Sequence, residues 1–250
     1  QCNLCGQVKP LTWDHVPPKG VLLQPDVYAN TVFAGMPTES RHMARFQSGI
    51  KYRSLCAECN NAILGRYDEE YKAFTTAIIN ELIEASQFGA VGGINVRTRI
   101  NRVLRAISGH ILAMKMEYDD QVLTDKFLRE YILDETKTFD DHKIYGWLYP
   151  YSTIVNSRDF AVRGHFEQTH PKGMVSVMSS FPLAIVLSSN EETACWLDDI
   201  GQYSTENIDE EVEVNLHFQT TFPFVSYVPD CPTEASIIVS LGIVAQQLDY

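Results

Sequence analysis

Apolar positions in the second quarter of the chain fall at helical spacing. Tyr67, Tyr71, Phe74, Ile78, Ile79 and Leu82 share one face, which predicts a long helix opening near Asn61 and running to about Gln87. The glycine-bearing stretch 88–93 ends it and reads as a hinge, because no Lys-Ser/Thr follows to make a phosphate loop. Helical period returns over 95–117, with Ile100, Val103, Leu104, Ile107, Ile111, Leu112 and Met114 on the apolar side. A shorter helix is predicted over 124–133 from Phe127, Leu128, Tyr131 and Ile132. The pattern then changes. Segments 143–149, 159–167, 173–178, 182–188, 211–219 and 222–228 are rich in Val, Ile, Phe, Tyr and Thr, and Glu211 to Phe218 alternates strictly. Such strands predict a mostly antiparallel sheet with one solvated face. The tail, 235–248, fits either a last helix or a buried strand. The chain is therefore expected to be α+β, with a helical middle and a β-rich C-terminal half.

Composition fits a folded chain: 45% of the 250 residues are hydrophobic and 11% aromatic, enough for one large domain or two modest ones. No apolar run reaches 18 residues and no basic-then-apolar leader opens the chain, so a soluble cytoplasmic protein with no membrane partner is expected. A first residue of Gln1 in place of Met reads as trimming. The net charge of −12 is unevenly spread. Residues 1–118 hold 13 Lys and Arg against 10 Asp and Glu, a net +3, while residues 119–250 hold 7 against 22, a net −15. Phosphate contacts thus belong to the front half if anywhere. Arg97, Arg99, Arg102 and Arg105 crowd the start of the second helical segment, where the macrodipole disfavours cations. Their partner is either a nucleic-acid backbone or the acidic back half.

Six cysteines are too few for a disulfide scaffold, and four lie in two Cys-x-x-Cys pairs, Cys2/Cys5 and Cys56/Cys59. Each pair sets two soft sulfur donors on one tight turn. Two such turns complete the closed tetrahedral shell of a structural zinc, which leaves no open position for chemistry. Between and beside the pairs lie Asp14, His15 and Asn60. Asp and Asn oxygens suit a hard cation such as magnesium, and an imidazole can deprotonate water near neutral pH. Lys19, Arg41, Arg45, Lys51 and Arg53 are the candidate phosphate contacts around them. Elsewhere the bland reading prevails: Cys195 and Cys231 as buried or incidental thiols, His42, His165 and His170 as loop or strand-end residues, and Asp140-Asp141-His142 and Asp198-Asp199 as solvated turns.

Cys-x-x-Cys, then Asp14-His15-Val16-Pro17-Pro18, then Leu55-Cys56-Ala57-Glu58-Cys59-Asn60 resembles the HNH (ββα-metal) endonucleases, in the zinc-bearing branch that includes phage endonuclease VII. The resemblance covers about residues 2–70. It implies a treble-clef fold in which His15 is the general base, Asp14 and Asn60 are the protein ligands of one magnesium or manganese ion, and the four cysteines hold zinc. It also implies nucleic acid, DNA in the first instance, as the partner. Two departures stand out. The interval from His15 to Cys56 exceeds the family's hairpin, so 20–47 are expected as an insertion at the rim of the site. The Asn that many members carry before the second Cys-x-x-Cys, where it braces the His loop, is missing from the run 49–55. The implied organisation is a nuclease domain over 1–88, a helical connector over 89–135 and a β-rich domain of unknown role over 136–250. A single site of this kind cuts one strand at a time, so a homodimer is the family's route to double-strand cleavage. Two other readings stand beside it: a non-catalytic zinc-knuckle module binding nucleic acid or protein, and a defence-type effector nuclease held in check by its C-terminal half until a ligand or partner arrives.

Overall fold

Four short strands open the chain, the first pairing antiparallel with the fourth and the second with the third. β1 (Leu11–His15), β2 (Val27–Thr31), β3 (Ala44–Phe46) and β4 (Lys51–Cys56) appear in that order. β1 and β4 run antiparallel, Leu11 opposite Cys56 and His15 opposite Lys51, with a register shift between Thr12 and Asp14. A π-helical segment (Glu58–Leu64) follows and runs without a break into α1 (Gly65–Ser86). The predicted stripe is its buried face, through Tyr67, Tyr71, Phe74 and Ile78. The computed structural model describes residues 1–21, 27–31, 44–46, 49–87, 92–140, 142–150, 154–162, 173–189, 197–218 and 243–247.

The single helix expected over 95–117 divides. Gly93–Thr98 is a strand, β5, and the helix α2 (Ile100–Ala113) begins after it. Ile94, Val96 and Thr98 are buried while Asn95 and Arg97 are exposed, so the period over this stretch is two. The helix α3 (Leu123–Leu133) matches its prediction within one residue. The remaining strands are β6 (Lys143–Leu148), β7 (Ile154–Val162), β8 (Gly173–Ser180), β9 (Leu183–Ser188), β10 (Asp198–Asp199), β11 (Val212–His217) and β12 (Ile243–Gln247). β11 pairs antiparallel with β5, Val212 opposite Thr98, and supplies the ladder that a helix at 95–98 would have lacked. The other strands form one eight-stranded sheet in the order β10-β6-β9-β8-β7-β12-β2-β3. Residues 20–47, expected as a rim insertion, thereby give two strands to this sheet, and part of the tail is a strand as well. The stretch 222–228 lies outside the described residues. β9 is buried at every position and β6 at all but Lys143, so the centre of the sheet lacks the solvated face expected of it; clean alternation is seen instead in the separate β5–β11 pair.

α2 is the axis of the molecule. From Val103 to Ala113 every residue is buried, the mark of a helix surrounded on all sides. Gly109 faces the end of the π-helical segment, where any Cβ would run into the Leu64 methyls; glycine is required here for close approach. The arginines before and within α2 find their partners in the protein. Arg99 pairs with Glu70 at 3.5 Å, Arg97 with Glu211 at 3.8 Å, and Arg102 Nε donates to Asp209 at 3.1 Å. Arg105 is fully buried and donates to the carbonyls of Tyr131, Asp134 and Glu135, closing the C-terminal end of α3. The acidic back half accounts for much of that charge.

Candidate functional site

One turn, the end of β4 and the start of the π-helical segment bring the four knuckle cysteines together. Their Sγ atoms all lie within 4.8 Å of one another, with Cys5 and Cys56 at 3.9 Å. Zinc–thiolate bonds of about 2.3 Å in a tetrahedron put sulfurs roughly 3.8 Å apart, so the cluster is nearly at the spacing an ion needs. Among the described residues this is the one group of three or more His, Cys, Asp or Glu side chains placed to hold a metal. Gly6, at φ +68°, follows Cys5, and its N–H donates to Cys2 O at 2.9 Å, closing the first knuckle. The Cys56 N–H donates to Cys2 Sγ at 3.3 Å. A hydrogen bond from Cys59 holds the Cys2 thiol down at about 4, and the same contact together with burial pushes Cys59 up. One thiolate is thus favoured even without an ion, and its charge is of the sign that draws a cation.

The first knuckle is fastened to α2. Asn3 N–H donates to Ser54 O at 2.8 Å, Asn3 Nδ2 donates to Leu112 O at 3.2 Å, and Arg129 Nε donates to Asn3 O at 2.7 Å. The hairpin therefore sits in a fixed position over the end of α2.

Asn60 enters at the start of the π-helical segment, directly after the last knuckle cysteine. Its Nδ2 donates to Thr12 Oγ1 at 3.1 Å and to Trp13 O at 3.3 Å. The orientation of the amide is set by chemistry. Trp13 O can only accept, and the Thr12 hydroxyl already gives its proton to Leu55 O at 3.0 Å, so both need the amide nitrogen. Asn60 Oδ1 is left with no hydrogen bond among the described residues. Asp14 is next along the strand, 6% exposed. Its Oδ2 meets His110 Nδ1 at 3.1 Å, and its Oδ1 has no hydrogen bond among the described residues. Two hard oxygens, one from a carboxylate and one from an amide, are thereby left without a hydrogen bond among the described residues. That donor set fits magnesium or manganese in kind.

Side chains alternate across the hairpin. Asp14, Tyr52 and Ser54 face inward, while Trp13 is 60% exposed and Arg53 lies open to solvent, with His15 and Lys51 half-buried and opposite each other. The outer face thus gathers an indole, an imidazole and two cations. Arg53 Nε donates to Leu11 O at 3.1 Å, which leaves its terminal nitrogens outward. Lys19 is exposed beyond the hairpin. Arg41 and His42 fall outside the described residues, and of Arg45 only the backbone is described, in the edge strand β3.

Two residues at this site escaped the sequence reading. His110, on α2, is fully buried; its Nε2 meets Asp68 Oδ1, in the first turn of α1, at 2.9 Å, while its Nδ1 serves Asp14. Burial opposes the charged ring, but the two flanking carboxylates outweigh that cost and raise its pKa to about 10. The signal for His110 was present: it is the one titratable side chain in the run 106–114, and a helix buried all round carries such a group only with partners.

The other clusters have structural explanations. His142 stacks on Phe127 at 4.2 Å between ring centroids, Asp199 accepts from the Gly201 N–H at 3.0 Å, and Asp198 pairs with His217 at 3.0 Å. Cys195, Cys231, His165 and His170 lie outside the described residues. No helix among the described residues is long and apolar enough to cross a membrane. Comparison with protein-family models, curated proteins and solved structures gave no significant match.

Proposed function

We propose that this chain is a metal-dependent endonuclease of the HNH type, its β1–β4 hairpin and following helix forming a zinc-pinned treble clef. One observation carries the reading: Asn60 bonds Thr12 and Trp13, the strand residues directly before Asp14 and His15, and neither Asp14 Oδ1 nor Asn60 Oδ1 has a hydrogen bond among the described residues. A purely structural knuckle has no use for a base beside two unengaged hard ligands.

In this reading Cys2, Cys5, Cys56 and Cys59 hold zinc and lock hairpin to helix. Asp14 and Asn60 hold one magnesium or manganese ion. When bound, that ion neutralises charge on the scissile phosphate and the leaving oxygen. His15 takes the proton from the attacking water, a role for which an imidazole is chemically suited. Lys51 and Arg53, on the same outer face, bind flanking phosphates, with Lys19 at the margin. Nucleic acid is the substrate, DNA in the first instance. A homodimer and a regulatory ligand at 136–250 are extensions of the same proposal.

Purified zinc-loaded protein should nick supercoiled plasmid in magnesium and not in EDTA, and His15→Ala should lose cleavage while keeping its zinc and its melting temperature. A fully active His15→Ala protein sinks the mechanism. One observation favours a second reading, a zinc-knuckle binding module. Asp14 already has a protein partner in His110, and the exposed Trp13 beside Lys51 and Arg53 can contact nucleic acid without cutting it. Tight binding with no cleavage under any divalent cation selects that reading.

A further inference from the structure

His110 is a poor choice for a residue that only fills space. It is fully buried in the last turn of α2, a helix covered on all sides, where a Phe or Leu would pack without desolvating a ring nitrogen. Instead three elements converge on it: β1 through Asp14 at 3.1 Å, α1 through Asp68 at 2.9 Å, and α2 itself. Both ring nitrogens are engaged, so the imidazole has a single permitted orientation. Its effect on Asp14 is specific. A free carboxylate can turn about its terminal torsion and exchange its two oxygens, and it can also chelate a cation with both. Here Oδ2 is committed to His110 Nδ1, and Oδ1 has no hydrogen bond among the described residues.

Resting on the divalent-metal site proposed above, we infer that His110, held in place by Asp68, is a positioning residue: it pins Asp14 Oδ2 so that Oδ1 is presented as a one-oxygen ligand beside Asn60. His110 touches neither substrate nor ion. It acts through Asp14, as outer-shell partners do in metal sites generally, where their removal weakens affinity about 10–100-fold.

The test is manganese affinity of the zinc-loaded full chain, read by electron paramagnetic resonance of free Mn²⁺ and by calorimetry. His110→Phe keeps the ring volume and removes the donor. His110→Asn keeps an N–H donor, because the Asn amide nitrogen stands the same number of bonds from Cα as His Nδ1. The wild type should bind one manganese per chain. His110→Phe should weaken that binding at least about tenfold, His110→Asn should recover most of it, and Asp68→Asn should weaken it by a smaller factor. Zinc content and melting, measured alongside, show whether each variant is folded. Should His110→Phe fail to fold, the comparison of Asp68→Asn with wild type decides. A merely structural role lowers the melting temperature of the folded variants and leaves their manganese affinity at the wild-type value, and that result overturns the inference while leaving the metal site standing. A wild type that binds no manganese overturns both.

Discussion

Removing the zinc should unfold the front of the molecule, and the structure says how far the damage travels. The four sulfurs already lie within 4.8 Å of one another, one pair at 3.9 Å, against the roughly 3.8 Å edge of a zinc–thiolate tetrahedron. Little rearrangement is needed to bind, so most of the intrinsic affinity is available for stability. Structural zinc contributes about 10–16 kcal/mol in small zinc domains, comparable to the whole stability of an ordinary domain, about 5–15 kcal/mol. The first knuckle is also tied to β4 through Asn3 and Ser54, to α2 through Asn3 and Leu112, and to α3 through Arg129. Loss of the knuckle therefore frees the end of the central helix. If only about 5 kcal/mol of the zinc contribution reaches global stability, the melting temperature falls by roughly 10–20 °C for a chain of this size. The assay is zinc content by mass spectrometry, followed by thermal unfolding with and without a strong chelator and in Cys59→Ser. One zinc per chain, with the large drop in both perturbed samples, is expected. A protein that holds no zinc and melts identically with chelator refutes the argument.

Further outcomes follow from the surroundings of His110 and the outer face. His110 is raised from 6.5 to about 10 in the folded chain, so between those values the folded state holds a proton that the unfolded state has released. Its stabilising contribution is complete below pH 6.5 and is lost as pH rises toward 10, with a slope of at most about 1.4 kcal/mol per pH unit; denaturant titrations of the zinc-loaded protein should show this slope, and His110→Asn should flatten it. Gly109→Ala gains about 1 kcal/mol of helix propensity but drives a methyl into the buried Leu64, an overpacking cost of about 1–3 kcal/mol, so a net loss of about 1 kcal/mol is expected, measured by melting and relieved in the double variant with Leu64→Ala. Arg53→Ala should weaken nucleic-acid binding for all sequences alike and lower the slope of log affinity against log salt by about 1.

Much of this was legible because the responsible physics is local. Two Cys-x-x-Cys turns need no partner to be recognised, and a helix such as α1 declares itself through the repeat of its own buried face. What could not be read depends on residues far away in the sequence. The strand at Gly93–Thr98 is hidden in the sequence pattern of the following helix because its ladder partner, Val212–His217, lies more than a hundred residues on. β2 falls within the expected rim insertion because its partner β12 lies near the chain's end. Asp14 was legible as a ligand candidate from its neighbour His15, but the imidazole that pins it comes from α2, and the carboxylate that holds that imidazole from α1. The arginines before and within α2 left two partners open on charge alone, and only the fold showed Glu70, Glu211 and Asp209 beside them.

The central claim is that the zinc-pinned hairpin carries a second, hydrolytic metal site between Asp14 and Asn60. Crystals soaked in manganese, with anomalous differences recorded on both sides of the zinc and manganese edges, test it most directly. A zinc peak among Cys2, Cys5, Cys56 and Cys59 and a separate manganese peak at Asp14 and Asn60 are expected. A zinc peak alone, with Asp14 and Asn60 unchanged at saturating manganese, would contradict it and leave a binding module in its place.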